Sequence, residues 1–228
     1  MLKKVAIVGT ASGWERAPWD DPEWEMWGLN DGYLQHGADR HCTRWFELHG
    51  DTPLTRARRR YDHFERIAEM EIPVYYLHGA PPAPQALKLD VEPLARIGRD
   101  YFACTNAYQI ALALSEGFTS IALYGTPLMS AREAAVERPC VSWWLGLAEG
   151  RGVTVTVDHD FKAALLVHPH RYAYHDAEER ETTYWLCKEL YNGLYEWLDR
   201  ESTTISRSRL IHDASSRPGP AALVALDA

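Results

Sequence analysis

The chain has 228 residues, of which 46% are hydrophobic and 25% are charged, and it carries a formal net charge of −8. This length and composition suffice for one domain with a full core and an appended tail. The negative net charge argues against a surface that binds nucleic acid by neutralising its phosphates, so nucleic acid is not an expected partner.

The sequence shows no sign of secretion or of membrane insertion. No charged start is followed by a long apolar stretch, and no apolar run approaches the ~18 residues of a membrane-spanning helix. The four cysteines lie far apart and form no C-x-x-C pair, which fits a reducing compartment. We therefore expect a cytoplasmic protein without a membrane partner.

Apolar segments alternate with amphipathic ones along the chain, an order that predicts a parallel sheet with helices on its faces. Strands are predicted at 4–8, 25–29, 44–48, 74–77, 120–124 and 153–157. Helices are predicted at 31–35, 54–70, 105–116 and 139–150, with a loop at 79–84. The helix at 105–116 has the clearest signals, since Thr105 is a candidate N-cap and Gly117 marks its end.

The pattern changes beyond Phe161. Residues 176–200 predict one long helix, because Leu186, Leu190, Leu194 and Trp197 recur at spacings of three and four residues among charged residues. Turn-forming residues follow, and we expect a mobile tail at 215–228. The chain is therefore divided into a domain at 1–165 and a helical extension with its tail at 166–228.

Polar or small residues follow nearly every predicted strand. In an open parallel sheet the ligand lies outside the carboxyl ends of the strands, near the point where the strand order reverses. We expect the following residues to meet at that edge: Gly9, Thr10 and Ser12 after the first strand, Asn30 and Asp31 after the second, Glu47 and His49 after the third, Thr105 and Asn106 at the clear helix, and Tyr124, Gly125 and Thr126 after the fifth strand.

The residue types at this edge suit a nucleotide. A side-chain amide such as Asn30 or Asn106 both donates and accepts hydrogen bonds, so it can bind a base edge or a ribose hydroxyl. Free backbone N–H groups at a helix start near Thr105 suit a phosphate. Each of these residues alone fits an ordinary cap or turn equally, and residues 9–14 form neither a G-x-G-x-x-G motif nor a P-loop. Their coincidence at one edge predicts a binding site.

The glycine turn "VGTASGW", the motif "WGLND" and the segment "TNAYQIALALSEGFTSIALYGTPL" resemble a known arrangement. They look like the Rossmann-like fold shared by bacterial CMP-sialic-acid sialyltransferases and archaeal pterin-diphosphokinase-like domain proteins. Small phage proteins similar in "WDDPEWEMWGLND" and "TRWFELH" resemble the chain more closely. The resemblance covers residues 3–157. It implies an α/β, Rossmann-like parallel sheet and nucleotide binding by Gly9 to Ser12, Asn30, Thr105 and Asn106, to which we add Asp31 and Gly125.

One departure from the sialyltransferases concerns the catalytic base. Those enzymes carry a general-base histidine in a lid before the last core helix, whereas residues 130–142 of this chain contain no histidine. A positioned base contributes ~10²–10⁴-fold to such a reaction. Glu137 is our first candidate and His49 the second, with His168 and His170 as further candidates; an electrostatic role of Glu137 at the helix start fits as well.

Three functions remain open from the sequence. The first is a small glycosyltransferase-like enzyme that binds a nucleotide or nucleotide sugar, acts on an acceptor hydroxyl and needs no obligatory metal. The second is a pyrophosphokinase-type phosphotransferase, in which Asp31 and Glu47 would hold Mg²⁺. The third is a protein without catalysis that sequesters a nucleotide or serves in a phage assembly. The sequence does not decide whether the chain is an enzyme.

The predicted helix at 176–200 leads us to expect a homo-oligomer, because its aromatic stripe is too large to leave in water. The double variant Trp185→Glu, Trp197→Glu should therefore be monomeric while the parent is not. Light scattering measures both masses, and a monomeric parent would contradict the expectation.

Overall fold

The computed structural model describes residues 3–36, 41–128, 130 and 132–158. The chain divides into two units, Met1–Met129 with Glu133–Arg171, and Ser130–Arg132 with Tyr172–Ala228. Of the second unit, the described residues include Ser130 and Arg132 alone. The predicted helix at 176–200, the tail, the domain boundary at 165, His168 and His170 lie outside them as well.

Strands and helices alternate through the described part of the chain. The strands are β1 (Lys4–Val8), β2 (Trp24–Leu29), β3 (Arg44–Phe46), β4 (Val74–Tyr76), β5 (Ala86–Lys88), β6 (Ser120–Tyr124) and β7 (Thr154–Val157). The α-helices are α1 (Tyr33–His36), α2 (Pro53–Arg58), α3 (His63–Ala68), α4 (Val91–Ile97), α5 (Thr105–Ser115) and α6 (Arg138–Gly150). A short 3₁₀ turn covers Trp14–Arg16, and a π-helical segment, Glu133–Glu137, leads into α6.

The seven strands form one parallel sheet in the order β5-β4-β3-β2-β1-β6-β7. The strand order reverses at β1, which pairs with β2 on one side and with β6 on the other. This architecture confirms the predicted α/β, Rossmann-like fold. Among the described residues no helix combines the length and the apolar character that crossing a membrane requires.

Both faces of the sheet are covered by apolar packing, as continuous apolar strands require. Val5 and Ile7 of β1 pack with α5 and α6 on one face, and Ala6 and Val8 pack toward α3 on the other. The tryptophans Trp27, Trp45 and Trp144 are fully buried. These three aromatic residues therefore belong to the core rather than to a stacking surface.

Two sequence-based predictions about helices were wrong. The predicted helix at 54–70 is two helices, because Arg59 takes an extended backbone (φ −99°, ψ 170°) and ends α2, while Asp62 precedes α3 and pairs with Arg60 and Arg66. The N-cap of α5 is Cys104 rather than Thr105, since the Ala107 N–H donates to the Cys104 carbonyl (3.1 Å).

The strand β5 and the helix α4 were missed by the sequence analysis. Strand β5 has three residues and only a weak apolar pattern, so it gives little periodic signal. The Asp90 side chain caps α4 by accepting from the Glu92 N–H (3.3 Å), which was a usable signal for a helix start.

Two glycines hold β1 and β6 together at their carboxyl ends. The Gly9 N–H donates to the Tyr124 carbonyl (2.8 Å), and the Ala11 N–H donates to the Gly125 carbonyl (3.0 Å). A Cβ on Gly9 would lie 2.3 Å from the Gly125 carbonyl oxygen, and Gly125 itself has a φ of +61°. Glycine is therefore required here for the close approach of two backbone segments.

Gly9→Ala should destabilise the fold by roughly 1–3 kcal/mol, because the added methyl group forces the two segments apart. Gly146→Ala is the matched control: Gly146 is exposed on α6, a Cβ there meets nothing within 4 Å, and the change should stabilise the helix by up to about 1 kcal/mol. Urea unfolding measures both effects, and equal stability of the two variants would contradict this account.

Candidate functional site

Asn30 lies at the carboxyl end of β2 in a conformation that few residue types adopt. Its φ is +52°, its N–H donates to the Phe46 carbonyl (2.9 Å) and its carbonyl accepts from Trp45 Nε1 (3.2 Å). These contacts fix the backbone in the left-handed region, which asparagine tolerates. The side-chain Oδ1 is buried, and no group of the described part of the chain donates to it. A buried acceptor without a donor is rare in folded proteins, and a water molecule or a ligand can supply the donor here.

The start of α5 lies beside this asparagine. Gln109 Nε2 lies 3.4 Å from the Gly28 carbonyl, so α5 runs back along β2 and its first residue, Thr105, comes level with the end of that strand. The Cys104 thiol lies at this helix start, where the backbone N–H groups of Asn106 and Ala107 act on it against the larger effect of burial, which raises its pKa. Asn106, in contrast, is buried and donates to Gln109 Oε1 (3.3 Å), so its amide belongs to the interior.

The turn after β1 binds to the end of β6 through its backbone N–H groups. The N–H groups of Gly9 and Ala11 donate to the carbonyls of Tyr124, at the end of β6, and of Gly125, just after it, so they are not offered to a ligand. Gly9 and Gly125 therefore act as packing residues. Thr10 is half-buried and Ser12 is exposed, and both remain at the edge of the sheet as predicted ligand contacts.

A fully buried carboxylate lies at the end of β3. Glu47 Oε1 accepts from the His49 N–H (3.0 Å) and lies 2.8 Å from His49 Nδ1. Glu47 Oε2 lies 2.8 Å from His63 Nε2, and His63 Nδ1 lies 2.9 Å from the Tyr33 hydroxyl. His63 is buried like Glu47, whereas the His49 side chain is 51% exposed. A row of contacts thus runs from the interior to the surface, through Tyr33, His63, Glu47 and His49.

The hydrogen bonds around Glu47 decide its charge state. Burial alone would raise the pKa of Glu47, but the hydrogen bonds from His49 and His63 and the nearby charge of Arg59 outweigh it and lower the pKa to about 2. Glu47 is therefore ionised at neutral pH. A buried carboxylate in this state holds its partners in fixed orientations.

Arg59 connects the ends of β2 and β3. Its Nη1 lies 3.2 Å from Asp31 Oδ1, and its Nη2 lies 3.2 Å from His49 Nδ1. The break between α2 and α3 places Arg59 at this point. Asp31 and His49 were expected at the edge, and the structure brings them together through this guanidinium.

The sequence analysis missed the roles of Tyr33, His63 and Arg59. Glu47 was expected at the edge of the sheet and considered as a Mg²⁺ ligand, and Arg59 lay inside the predicted helix at 54–70. No local motif marks His63, because its role depends on the break that places α3 against β3. The motif "FELH" was the usable signal, since a carboxylate two residues before a histidine can reach that ring.

The candidate base Glu137 lies near the start of α5 rather than beside His49. The Cys104 pKa is raised to about 12, mainly by burial and further by the negative charge of Glu137. Glu137 ends the π-helical segment and directly precedes Arg138 at the start of α6.

The carboxylates expected to hold Mg²⁺ are engaged with other groups. Both oxygens of Glu47 contact imidazoles, and Asp31 contacts Arg59. Within residues 3–36, 41–128, 130 and 132–158, no group of three or more His, Cys, Asp or Glu residues is arranged to hold a metal ion.

A cavity of about 580 Å³ lies farther along the same edge, at the ends of β4 and β5. The Asp51 N–H donates to the Gly79 carbonyl (2.8 Å), which joins the loop after β3 to the loop after β4. The cavity therefore neighbours the loop that carries His49. Its lining mixes apolar and charged side chains: Leu77, His78, Lys88, Leu89, Asp90, Val91, Glu92 and Tyr108.

No protein-family profile and no curated protein matches this sequence. Solved structures of the sialyltransferase CstII from Campylobacter jejuni are similar to it. The complex with cytidine-5'-monophosphate is 14% identical over 69% of this chain and 80% of that chain (TM-score 0.46), and the complex with CMP-3FNeuAc is 15% identical over the same shares (TM-score 0.48). A mutant of the α-2,3/8-sialyltransferase CstII is 15% identical over 72% and 84% (TM-score 0.47).

The charge of Glu47 predicts a pH dependence of stability. Its pKa is about 2 in the folded state and has an ordinary value of 4.5, so its contribution is complete above pH ~5 and is lost as the pH falls toward about 2. The unfolding free energy of the parent minus that of Glu47→Gln should shrink by up to about 3 kcal/mol over this range. Urea unfolding at several pH values measures it. Glu69→Gln changes an exposed residue just after α3 and is the control: its unfolding free energy should differ from that of the parent by the same amount at every pH. A difference for Glu47→Gln that does not change with pH would contradict the ionised state of Glu47 in the fold.

Proposed function

We propose that this protein binds a nucleotide or nucleotide sugar at the carboxyl edge of its sheet and transfers the sugar to an acceptor hydroxyl. The observation that carries the proposal is the buried Oδ1 of Asn30, which has no donor among the described residues and lies beside the start of α5. A nucleotide carries hydroxyl and amino donors next to its phosphates, so it suits both features.

The nucleotide is oriented by the two features together. The phosphates lie toward Thr105, at the N-terminus of an 11-residue helix whose dipole favours negative charge. A ribose hydroxyl or a base amino group donates to Asn30 Oδ1. Thr10 and Ser12 supply hydroxyl groups from the neighbouring turn. This arrangement uses no metal ion.

His49 is the proton acceptor that the geometry favours. Its Nδ1 contacts Glu47 and half of its side chain is exposed, and we assign Nε2 as the nitrogen that takes the proton. In the transfer, the acceptor O–H bond breaks and its proton moves to His49 Nε2 while the acceptor oxygen bonds to the anomeric carbon of the sugar. The bond from that carbon to the phosphate oxygen breaks, and the phosphate keeps the electron pair.

The acceptor occupies the cavity at the ends of β4 and β5. The strand order places His49 between Asn30 on β2 and this cavity, so a base at β3 lies between donor and acceptor. Apolar side chains with charged groups around them suit a ligand that presents both C–H surfaces and hydroxyl groups.

Sequestration of a nucleotide without catalysis is the second candidate. It is favoured by the absence of histidine from residues 130–142, where the resembling transferases carry their base. The phosphotransferase alternative is less well supported, because Asp31 and Glu47 are engaged with Arg59 and with two imidazoles.

Nucleotide binding is tested at Asn30 and Thr105. Asn30→Gly keeps a left-handed backbone while removing the amide, and Thr105→Ala removes the hydroxyl group at the helix start. Each loss of a hydrogen bond should weaken CMP, UMP or GMP binding by roughly 0.5–1.5 kcal/mol in calorimetry. Ser115→Ala, at the opposite end of the same helix, should bind as the parent does. Parental affinity in both test variants would mean that the site lies elsewhere.

Catalysis is tested by turnover of labelled nucleotide sugars, to free sugar or to an acceptor. His49→Gln should lower kcat by ~10²-fold or more with nucleotide affinity retained, because the proton acceptor is lost. Glu137→Gln tests the base predicted from the sequence, and His41→Gln, an exposed histidine before β3, is the control. Nucleotide affinity without turnover on any donor would favour sequestration.

A further inference from the structure

We propose that Glu47, His63 and Tyr33 are positioning residues that hold His49 with its proton on Nδ1, so that Nε2 stays free to accept a proton. This inference deepens the proposed function and rests on it for the catalytic role of His49. The arrangement of protons itself is a property of the folded chain and is independent of any substrate.

The proton positions follow from the buried contacts among Glu47, His63 and Tyr33. The ionised carboxylate of Glu47 only accepts hydrogen bonds, so His63 Nε2, which lies 2.8 Å from Glu47 Oε2, carries a proton. A neutral imidazole carries one proton. In the neutral ring Nδ1 is then the acceptor, and the Tyr33 hydroxyl, whose pKa burial raises to about 12, donates to it over 2.9 Å.

The same reasoning fixes the proton of His49. An ionised carboxylate only accepts hydrogen bonds, and Glu47 Oε1 lies 2.8 Å from His49 Nδ1. Nδ1 therefore carries the proton. The Arg59 guanidinium, 3.2 Å from the same nitrogen, cannot donate to it once it is protonated, and its charge is met by Asp31. The second bond to Glu47, from the His49 N–H, fixes the backbone as well as the ring.

A histidine held in this way is a better base than a free one for two reasons. With the proton held on Nδ1, Nε2 keeps its lone pair, so the ring is in the tautomer that can accept a proton there. The carboxylate also stabilises the imidazolium that forms when Nε2 takes the proton. In Ser-His-Asp enzymes, an exchange of the orienting carboxylate for an amide lowers kcat by about 10⁴.

Nitrogen NMR of the folded, full-length chain tests the proton positions directly, because protonated and unprotonated imidazole nitrogens differ in ¹⁵N shift. In the parent above neutral pH, His49 should carry its proton on Nδ1 and His63 on Nε2. In Glu47→Gln, the amide oxygen keeps the two donors of His49, so the –NH₂ group faces His63 and should move the His63 proton to Nδ1. A parent with the His49 proton on Nε2, or with an even mixture, overturns the proposal.

The effect on turnover separates positioning from packing. Glu47→Gln should lower kcat at least 10-fold with the nucleotide KM unchanged, whereas Glu69→Gln changes the same charge outside the network and should leave both constants unchanged. The amide keeps the two donors of His49 but lacks the charge, so a parental kcat in Glu47→Gln would show that the carboxylate does not assist His49 and would overturn the role of Glu47. If the parent has no turnover but shows the expected ¹⁵N shifts, the proposed function fails while the proton arrangement stands.

Discussion

The parallel pairing of β1 with two neighbours is the constraint on which the rest of the structure depends. Val5 is in register with Glu25 of β2 and with Ile121 of β6. Because all seven strands are parallel, their carboxyl ends meet at one edge, and residues far apart in sequence become neighbours there. The contact between Gly9 and Gly125 fixes the relation of β1 to β6 at that edge. A side chain at either position would force these two backbone segments apart at the carboxyl edge of the sheet.

The ionised carboxylate of Glu47 is an unusual component of such a sheet. Removing a charge from water is costly, and three hydrogen bonds from His49 and His63 offset that cost. An apolar residue would pack at this position without the penalty. The network therefore contributes orientation more than stability: it determines where two imidazole rings point and which of their nitrogens carry protons.

The edge of the sheet has an order that matches the proposed reaction. Asn30 and the start of α5 lie at β2, the paired carboxylate and His49 lie at β3, and the cavity lies at β4 and β5. A donor, a base and an acceptor would then follow one another across adjacent strands. Arg59 joins the ends of β2 and β3 by contacting both Asp31 and His49. Its positive charge also favours the ionised state of Glu47.

The sequence by itself determined the alternating order of strands and helices, because buried parallel strands need continuous apolar runs whose signal is local. It also predicted Asn30 and His49 at the carboxyl edge of the sheet, because they directly follow such runs. Only the tertiary structure decided that Gly9 and Asn106 belong to the interior, and that Tyr33, His63 and Arg59 join the contacts around Glu47 and His49. Their roles depend on the break between α2 and α3 and on contacts across strands. Such contacts join residues that are distant in sequence, so no local pattern records them.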